Sequence, residues 1–336
     1  MSLKKERIQA LLAGERVTAP VASFFQHKHA AEQDPVSLAA RLVEFNRAGN
    51  WDFIKVQSRA TYYGEAWGCA HVYDDVQGPV MTDHVVKSRE DYLRLAELDP
   101  ATGPLGDHVA AARLLKAEVG ADTPCVHTIF SPLTVLTRLR GAQRKTAGET
   151  DRLKADMQEM PEAVRHGLEV VTRSLEAYAR ALVRAGGDGV FITTTAWDAD
   201  QLTPDQYRDW AAPYERRVFE AAIAEGAWLN IIHACRAHTH LQIAAEQPVQ
   251  IISYDSTSGR NPALGEAAQL TDKVLWSGLS VSAFAARDEA ELAREAEAAW
   301  QATGGRRLVL GPTCAVPADV EAPVLARLAE KIRGLG

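Results

Sequence analysis

Three side chains that bind soft metal ions stand out in this chain. His233 and Cys235 end the apolar run L-N-I-I-H-A-C, which covers residues 229–235. Cys314 follows a second strand-like run, residues 307–310, through the short segment G-P-T. Two thiolates and an imidazole form a soft ligand set of the kind that holds zinc. We expect His233 and Cys235 to turn toward one point at the frayed end of the first run, where Cys314 could complete a site.

Composition and charge narrow the class of protein. The 336 residues are 46% hydrophobic and 24% charged, which is ordinary for a soluble globular enzyme. The net charge of -7 argues against a general nucleic-acid or anionic-membrane binder, and no apolar run approaches the roughly 20 residues that span a bilayer. The N-terminus lacks an apolar export signal, and four cysteines are too few for a disulfide scaffold. We therefore expect a cytoplasmic monomer or homodimer with reduced thiols.

Strand-like and helical runs alternate along the chain, after an initial amphipathic helix at residues 4–13. Eight short apolar runs are each followed by a helical pattern, which implies parallel strands with right-handed crossovers. Eight such units in about 300 residues fit a closed (β/α)8 TIM barrel, and no G-x-G-x-x-G follows the first strand to suggest an open dinucleotide-binding sheet. We predict one domain over residues 1–336, with an irregular excursion after the second strand at 62–104. The predicted strands cover residues 20–25, 52–57, 124–130, 189–194, 229–232, 250–254, 274–279 and 307–310.

The barrel explains how the three ligands can meet. Side chains just past the carboxyl ends of barrel strands converge on one mouth. His233 and Cys235 follow the predicted fifth strand and Cys314 follows the eighth, so both loops open on the same face. Three protein ligands plus one open position is the pattern of a catalytic zinc rather than a structural one.

Several segments, in the same order along nearly the whole chain, resemble the uroporphyrinogen decarboxylase superfamily. E-A-Y-A-R-A-L-V-R-A-G-G-D-G-V-F-I at residues 176–192 is similar to the family's fourth helix and strand. L-T-P-D-Q-Y-R-D-W-A-A-P-Y at 202–214 is similar to its S-P-E-x-F-x-x-F-x-x-P-Y segment, and the opening at 6–21 also fits. H-A-C at 233–235 with Cys314 resembles the H-x-C…C zinc signature of the methylcobamide:thiol (coenzyme M) methyltransferase branch.

The chain also departs from both branches of that superfamily. The decarboxylases' arginine-bearing M-R-Q-A-G-R loop is F-F-Q-H-K-H here, at residues 24–29, and Q-S-R at 57–59 stands where they place an aspartate on the pyrrole nitrogens. Arg138 replaces their tyrosine after the third strand. Arg236 stands where the methyltransferases usually have glycine, and G-L-S-V-S at 278–282 replaces their G-N-V-D-P. Porphyrin decarboxylation is therefore not expected, and the methyl donor and acceptor pockets are expected to differ as well.

The resemblance implies a zinc-dependent enzyme that moves a methyl group from a methylcorrinoid-type donor to a small-molecule thiol. Zinc on the three ligands would hold the incoming thiol as a nucleophilic thiolate, and the donor could be presented by a corrinoid protein. Asp198 and Asp255, which follow the predicted fourth and sixth strands, are the candidate catalytic groups that take the thiol proton, although each could instead cap its own loop.

Two other function classes stay open. One is a cofactor-free decarboxylase acting on a porphyrinogen or a smaller carboxylic acid, with carboxylates held by Lys28, His29, Arg59 or Arg138. The other is a non-catalytic corrinoid-binding protein, against which the retention of all three ligands argues.

The remaining candidate site residues are substrate contacts around the predicted mouth. They are His27 and His29 after the first strand, Gln57 after the second, His127 on the third, and Arg138 in the helix that follows. His27 and His29 could equally be ordinary polar loop residues. The other cysteines, Cys69 and Cys125, are expected to be ordinary buried thiols.

Overall fold

One curled parallel sheet dominates the fold. The computed structural model describes residues 4–74, 78–142, 148, 150–195 and 197–335. Within them, eight strands form the parallel sheet, and β3 and β4 form a separate antiparallel hairpin. In chain order the strands are β1 (Val21–Ala22), β2 (Ile54–Val56), β3 (His71–Asp74), β4 (Gly78–Met81), β5 (Cys125–Phe130), β6 (Gly189–Thr193), β7 (Ile231–Ala234), β8 (Ile251–Tyr254), β9 (Val274–Leu279) and β10 (Leu308–Pro312).

Helices connect the strands of the sheet. The first third of the chain carries α1 (Lys4–Leu12), α2 (Pro35–Gly49), α3 (Tyr62–Ala66), α4 (Arg89–Arg94) and α5 (Gly103–Val119). The middle carries α6 (Pro132–Leu139), α7 (Asp151–Glu159), α8 (Pro161–Arg184), α9 (Pro204–Trp210) and α10 (Ala212–Ala224). The last third carries α11 (Leu241–Ala245), α12 (Leu264–Leu270), α13 (Val281–Ala286), α14 (Glu289–Ala302) and α15 (Ala322–Arg333). A 3-10 turn, Ala31–Gln33, lies between β1 and α2.

The two edge strands of the sheet are close to each other. The sheet runs β1-β10-β9-β8-β7-β6-β5-β2, which leaves β1 and β2 at its two edges. These edges are joined, because the Asp52 amide donates to the Ala22 carbonyl at 2.9 Å and the Ser23 hydroxyl donates to the Phe53 carbonyl at 2.8 Å. The architecture is an α/β fold with an eight-stranded parallel sheet, consistent with a TIM barrel.

Aromatic side chains fill the inside of the curled sheet. Trp276 meets Phe53 edge to face at 4.9 Å between ring centroids, and it meets Phe25 at 5.5 Å. Phe25 in turn lies 5.9 Å from Phe191. Because the interior is packed rather than hollow, space for a ligand has to come from the ends of the strands and the loops beyond them.

Helix α1 packs against the edge where β1 and β2 meet. Arg7 donates to the Asp52 carboxylate at 2.6 Å, and the same carboxylate accepts the Ala22 amide at 2.8 Å. Among the described helices, none has a stretch both long and apolar enough to cross a bilayer.

The strand that carries the first two candidate ligands differs from its predicted bounds. The sequence predicted a fifth barrel strand that ends at Ile232, whereas β7 extends through Ala234. Pairing explains the extension, because His233 is in register with Thr193 of β6 and Ser253 of β8, and Ala234 with Tyr254. The imidazole therefore leaves from regular strand rather than from a loop.

Candidate functional site

The three soft ligands come together at the ends of β7 and β10. Donor atoms of His233, Cys235 and Cys314 all lie within 4.8 Å of one another. His233 lies on β7, and Cys235 comes directly after the last residue of that strand. Residues two apart along a strand share one face by the normal alternation of side chains. The expected fraying is not needed. Cys314 follows β10 by two residues, and both thiols are partly exposed.

His233 is oriented with one ring nitrogen engaged and the other available. Its Nδ1 lies 2.9 Å from the Ser253 hydroxyl, and its ring stacks on Phe191 at 5.4 Å between centroids. Its Nε2 is buried and has no hydrogen-bond partner among the described residues. A buried polar atom left in this way costs about 1–3 kcal/mol unless something binds it. In metal-binding histidines, one ring nitrogen is usually held by a hydrogen bond while the other binds the metal. His233 has this arrangement, so these residues fit a zinc ion.

The backbone directly after Cys235 is unusual. Arg236 and His238 have positive φ angles of 78° and 61°, a region that residues with a side chain rarely adopt. Asn261 holds this turn, since its amide nitrogen donates to the Arg236 carbonyl at 3.0 Å and its amide oxygen accepts from the Thr239 amide at 2.8 Å. Strain of this kind persists where surrounding contacts over-determine it, often next to functional residues.

A small cavity beside the ligands has a cationic wall that the sequence analysis missed. Its lining includes His233, Cys235, Cys314, Thr193 and Lys55. The Lys55 ammonium lies 4.4 Å from the centroid of Phe25 and 4.8 Å from that of Phe191, and the side chain is buried. The sequence feature that could have revealed this wall is the lysine in the middle of the apolar run at residues 52–57. A charged residue on such a strand is exceptional, because it has to face either the interior or the surrounding helices.

The two candidate catalytic carboxylates have different surroundings. Asp198 is buried and lines a second small cavity together with Cys235 and His240, and burial raises the pKa of its carboxyl. Asp255 instead accepts hydrogen bonds from the amide and hydroxyl of Thr257, at 2.9 and 2.7 Å, and so caps its own loop. It is absent from the described residues that line either cavity. Of the two, Asp198 is the one that lines a cavity together with a candidate metal ligand, Cys235.

Three of the candidate substrate contacts line a larger cavity. His27, His29 and Arg138 lie on the wall of a space of about 380 Å³, and His27 also lines the cavity that contains the soft ligands. Arg138 is buried and lies 3.4 Å from the Thr195 hydroxyl. Gln57 is buried too, but among the described residues it lines neither cavity, so a substrate contact there stays an expectation without support from the cavity walls.

His127 lines neither of these two cavities among the described residues, and a substrate contact there stays a prediction. Its ring packs so closely on Gly187 that a Cβ there would lie 2.8 Å from the ring, which puts the imidazole between β5 and the turn after α8. Successive side chains of a strand point to opposite faces. Thr128, the next residue along β5, lines the cavity of the soft ligands. Both ring nitrogens of His127 are buried without a hydrogen-bond partner in the described part of the chain, and burial lowers the pKa of His127 to about 3.

The buried imidazole of His127 is expected to make the protein acid-sensitive. An unfolded histidine binds a proton below a pH of about 6.5, whereas folded His127 binds one only near pH 3, so stability is lost as the pH falls between these values. Between pH 7 and pH 5, the free energy of unfolding should fall by about 2 kcal/mol less in His127→Leu than in the wild-type protein. Denaturant unfolding at both pH values measures this, with the exposed His166→Gln as control. An unchanged pH dependence in His127→Leu would contradict the assignment.

The other two cysteines are far from a reactive state. Cys69 and Cys125 are buried, and burial raises the pKa of both thiols, that of Cys125 to about 12. They are therefore suited to packing rather than to nucleophilic or metal chemistry at neutral pH.

Comparison with known proteins places the chain in a family. A sequence model of "Uroporphyrinogen decarboxylase (URO-D)" matches residues 15–335. The chain belongs to the uroporphyrinogen decarboxylase family. That match covers nearly the whole chain, as the order of the resembling segments had predicted.

Relatives within the family include both transferases and decarboxylases. The methylcobamide:CoM methyltransferase MtbA of Methanosarcina mazei is 23% identical over 253 residues, 71% of this chain and 72% of that protein. MtbA of Methanosarcina acetivorans is 24% identical over 61% of this chain, a match that spans 58% of its own length. A uroporphyrinogen decarboxylase of Hydrogenovibrio crunogenus is 28% identical over 46% of this chain and 42% of its own.

Solved structures agree with this placement at the level of the fold. A methyltransferase from Methanosarcina mazei superposes with a TM-score of 0.81 at 19% identity, covering 99% of this chain and 98% of that one. A B12-independent methionine synthase from Shewanella sp. W3-18-1 gives a TM-score of 0.59 at 13% identity, with 94% and 92% covered. The chain is thus a URO-D family protein, and the sequence comparisons support the methylcobamide:CoM methyltransferase branch, whereas the solved structures support the fold.

Proposed function

We propose that this chain is a cytoplasmic, zinc-dependent methyltransferase that moves a methyl group from a methylcorrinoid-type donor to a small-molecule thiol. The observation that carries the proposal is the meeting of His233, Cys235 and Cys314 within 4.8 Å, with the buried Nε2 of His233 left without a partner. The scaffold we propose for it is a closed (β/α)8 barrel of one domain, residues 1–336, with an N-terminal helix and the excursion after its second strand.

The family comparisons support the choice of reaction. The MtbA relatives are named for methyl transfer from methylcobamide to CoM, and the alignment with M. mazei MtbA covers over two thirds of both chains. We infer the same class of donor and acceptor here, with the donor free or carried by a corrinoid protein. The identity of the thiol is left open, because Arg236 and the segment at 278–282 differ from the pattern of that branch.

The side chains of the site have separate roles in the proposed reaction. A zinc ion bound by His233, Cys235 and Cys314 would supply a soft Lewis acid on which a thiol is a thiolate at neutral pH. Ser253 keeps the imidazole in place through its 2.9 Å contact with Nδ1. Asp198 is positioned beside Cys235 to accept the thiol proton, and burial raises its pKa toward the range in which a carboxylate is an effective base.

Methyl transfer can be tested directly. Zinc-loaded protein with free methylcob(III)alamin and a panel of small thiols should convert the methylated corrinoid to its demethylated form, followed by the change in visible absorbance. The methylated thiol, detected by mass spectrometry, should appear in equal amount. A zinc-loaded, folded protein that methylates no thiol, from free donor or from a methylated corrinoid protein, would overturn the proposal.

The charge of Lys55 should tune the thiol chemistry. With zinc bound, two cysteine thiolates and a substrate thiolate would put three negative charges against one Zn²⁺, and the buried ammonium of Lys55 on the same cavity wall would offset the excess. Lys55→Met keeps most of the side-chain volume and removes the charge. We expect the midpoint of the pH–rate profile of Lys55→Met to lie about one pH unit above that of the wild-type protein. The reason is that a nearby opposite charge typically shifts a pKa by about 1–3 units.

The pH profile separates this role from a structural one. Lys116→Met is the matched control, since Lys116 is paired with Asp188 at 2.8 Å in a different part of the fold. It should leave the midpoint of the pH profile unchanged. If Lys55→Met lowers the rate equally at every pH, its charge does not act on the thiol.

A further inference from the structure

A second cluster of metal-binding side chains lies on the loop after β1. His27, His29 and Glu32 have donor atoms that all lie within 4.8 Å of one another. His27 and His29 belong to the segment at residues 24–29 that replaces the decarboxylases' arginine loop, and Glu32 lies in the 3-10 turn that follows it. None of them is a member of the His233, Cys235 and Cys314 group.

Two buried polar atoms in this cluster lack hydrogen-bond partners among the described residues. The Glu32 side chain is 2% exposed, yet its Oε2 has no hydrogen bond among the described residues, and neither has the buried Nδ1 of His29. These two atoms face each other at 3.7 Å, beyond hydrogen-bond length. A buried polar atom without a hydrogen bond destabilises the folded state, so the convergence of these two atoms on one spot favours a bound group there.

The surroundings hold the cluster in place. The Lys28 amide donates to Glu32 Oε1 at 3.0 Å, and His27 Nδ1 lies 2.8 Å from the same oxygen. Arg59 donates to the Glu32 backbone carbonyl at 3.0 Å. The His27 and His29 rings stack at 5.5 Å between centroids. Although burial alone would raise it, His27 and then His29 lower the pKa of the Glu32 carboxyl, so this carboxylate stays charged.

We propose that His27, His29 and Glu32 form a second metal site, for a divalent transition-metal ion such as zinc or cobalt, separate from the soft site. Two imidazoles and one carboxylate are a harder ligand set than one with two thiolates, and such a set leaves coordination positions open. Glu32 and the two imidazoles would hold such an ion, which would give Glu32 Oε2 and His29 Nδ1 a binding partner.

The position of the site gives it a role at the mouth of the barrel. His27 and His29 line the cavity of about 380 Å³ together with Arg138, and His27 also borders the cavity of the soft ligands. An ion held there adds positive charge to the wall that already carries Arg138. The second site therefore favours a substrate whose far end is anionic, held while its other end reaches the soft ligands.

Cobalt titration of the metal-free full-length protein tests the site without an activity assay. Wild-type protein should bind two equivalents of Co²⁺. Only the soft site should give sulfur-to-cobalt charge-transfer absorption, because the second site contains no thiolate. Glu32→Gln and His29→Gln should each bind one equivalent and keep that absorption, whereas Cys314→Ala should bind one equivalent and lack it. His71→Gln, an exposed histidine 3.7 Å from Glu65, should leave both equivalents in place.

The outcomes separate this inference from the proposed function. Wild-type protein that binds a single equivalent, with charge-transfer absorption, would overturn the second site and leave the soft site standing. The same would follow if Glu32→Gln and His29→Gln, both folded by circular dichroism, still bound two equivalents. In either case the contacts of Glu32 with the two histidines only shape the loop.

Discussion

Cys235→Ala and Cys314→Ala proteins are each expected to be isolated without stoichiometric zinc and to lose thiol methylation. Removing either thiolate leaves one sulfur and one imidazole, and two protein ligands hold zinc weakly. Loss of a residue that merely orients a ligand already costs about 10–100-fold in metal affinity, so loss of a ligand should cost at least about 100-fold. Metal analysis of protein purified without added zinc, together with the methylcob(III)alamin assay, measures both effects.

Cys69→Ala is the matched control for these two substitutions. Cys69 is a buried thiol in the excursion after β2, and burial raises its pKa, so its removal should change neither zinc content nor rate. If Cys314→Ala retained zinc, or lost zinc while another reaction continued at the wild-type rate, the ion would not be the centre of catalysis. Ligand bonds near 2.3 Å to sulfur and about 2.0–2.1 Å to nitrogen in a zinc-bound crystal structure would establish the ligand set.

The convergence of the soft ligands could be predicted because it depends only on topology. Parallel strands in a barrel deliver the residues after their carboxyl ends to one face whatever the details of packing. His233 and Cys314 needed only the strand count and the positions of two apolar runs. The bounds of β7 could not be predicted in the same way, because pairing of His233 and Ala234 with β8 extends the strand beyond the apolar run.

Properties that depend on register were harder to predict. His127 and Thr128 are neighbours on one strand, yet only Thr128 reaches the cavity, and sequence alternation alone did not show which face was inside. Lys55 was passed over because a lysine within a buried strand is exceptional. The contact of Ser253 with His233 depends on the register between β7 and β8, which no local pattern specifies.

Uroporphyrinogen is expected to be turned over below detection, although the family includes decarboxylases. A substrate with many carboxylates needs free cations at the mouth, and most of the candidate cations are engaged. Arg59 donates to the Glu65 carboxylate, with Nε 2.9 Å from Oε1, and Lys28 donates to the Ala318 carbonyl. His29 lies beside Glu32. Arg138 lines the cavity and lies 3.4 Å from the Thr195 hydroxyl, and one guanidinium cannot match several carboxylates.

The missing contacts set the size of the effect. Each substrate carboxylate left without a partner should weaken transition-state binding by about 1–3 kcal/mol or more, and so should the pyrrole face that no aspartate contacts. Three such losses together reduce turnover by several orders of magnitude. Chromatographic analysis for coproporphyrinogen after anaerobic incubation measures it, with a uroporphyrinogen decarboxylase as positive control. Turnover at ordinary enzyme concentration that disappears in Arg138→Gln but survives in Cys314→Ala would make Arg138 the substrate anchor. The decarboxylase alternative would then replace methyl transfer, since the soft ligands would be dispensable for the reaction that the protein performs.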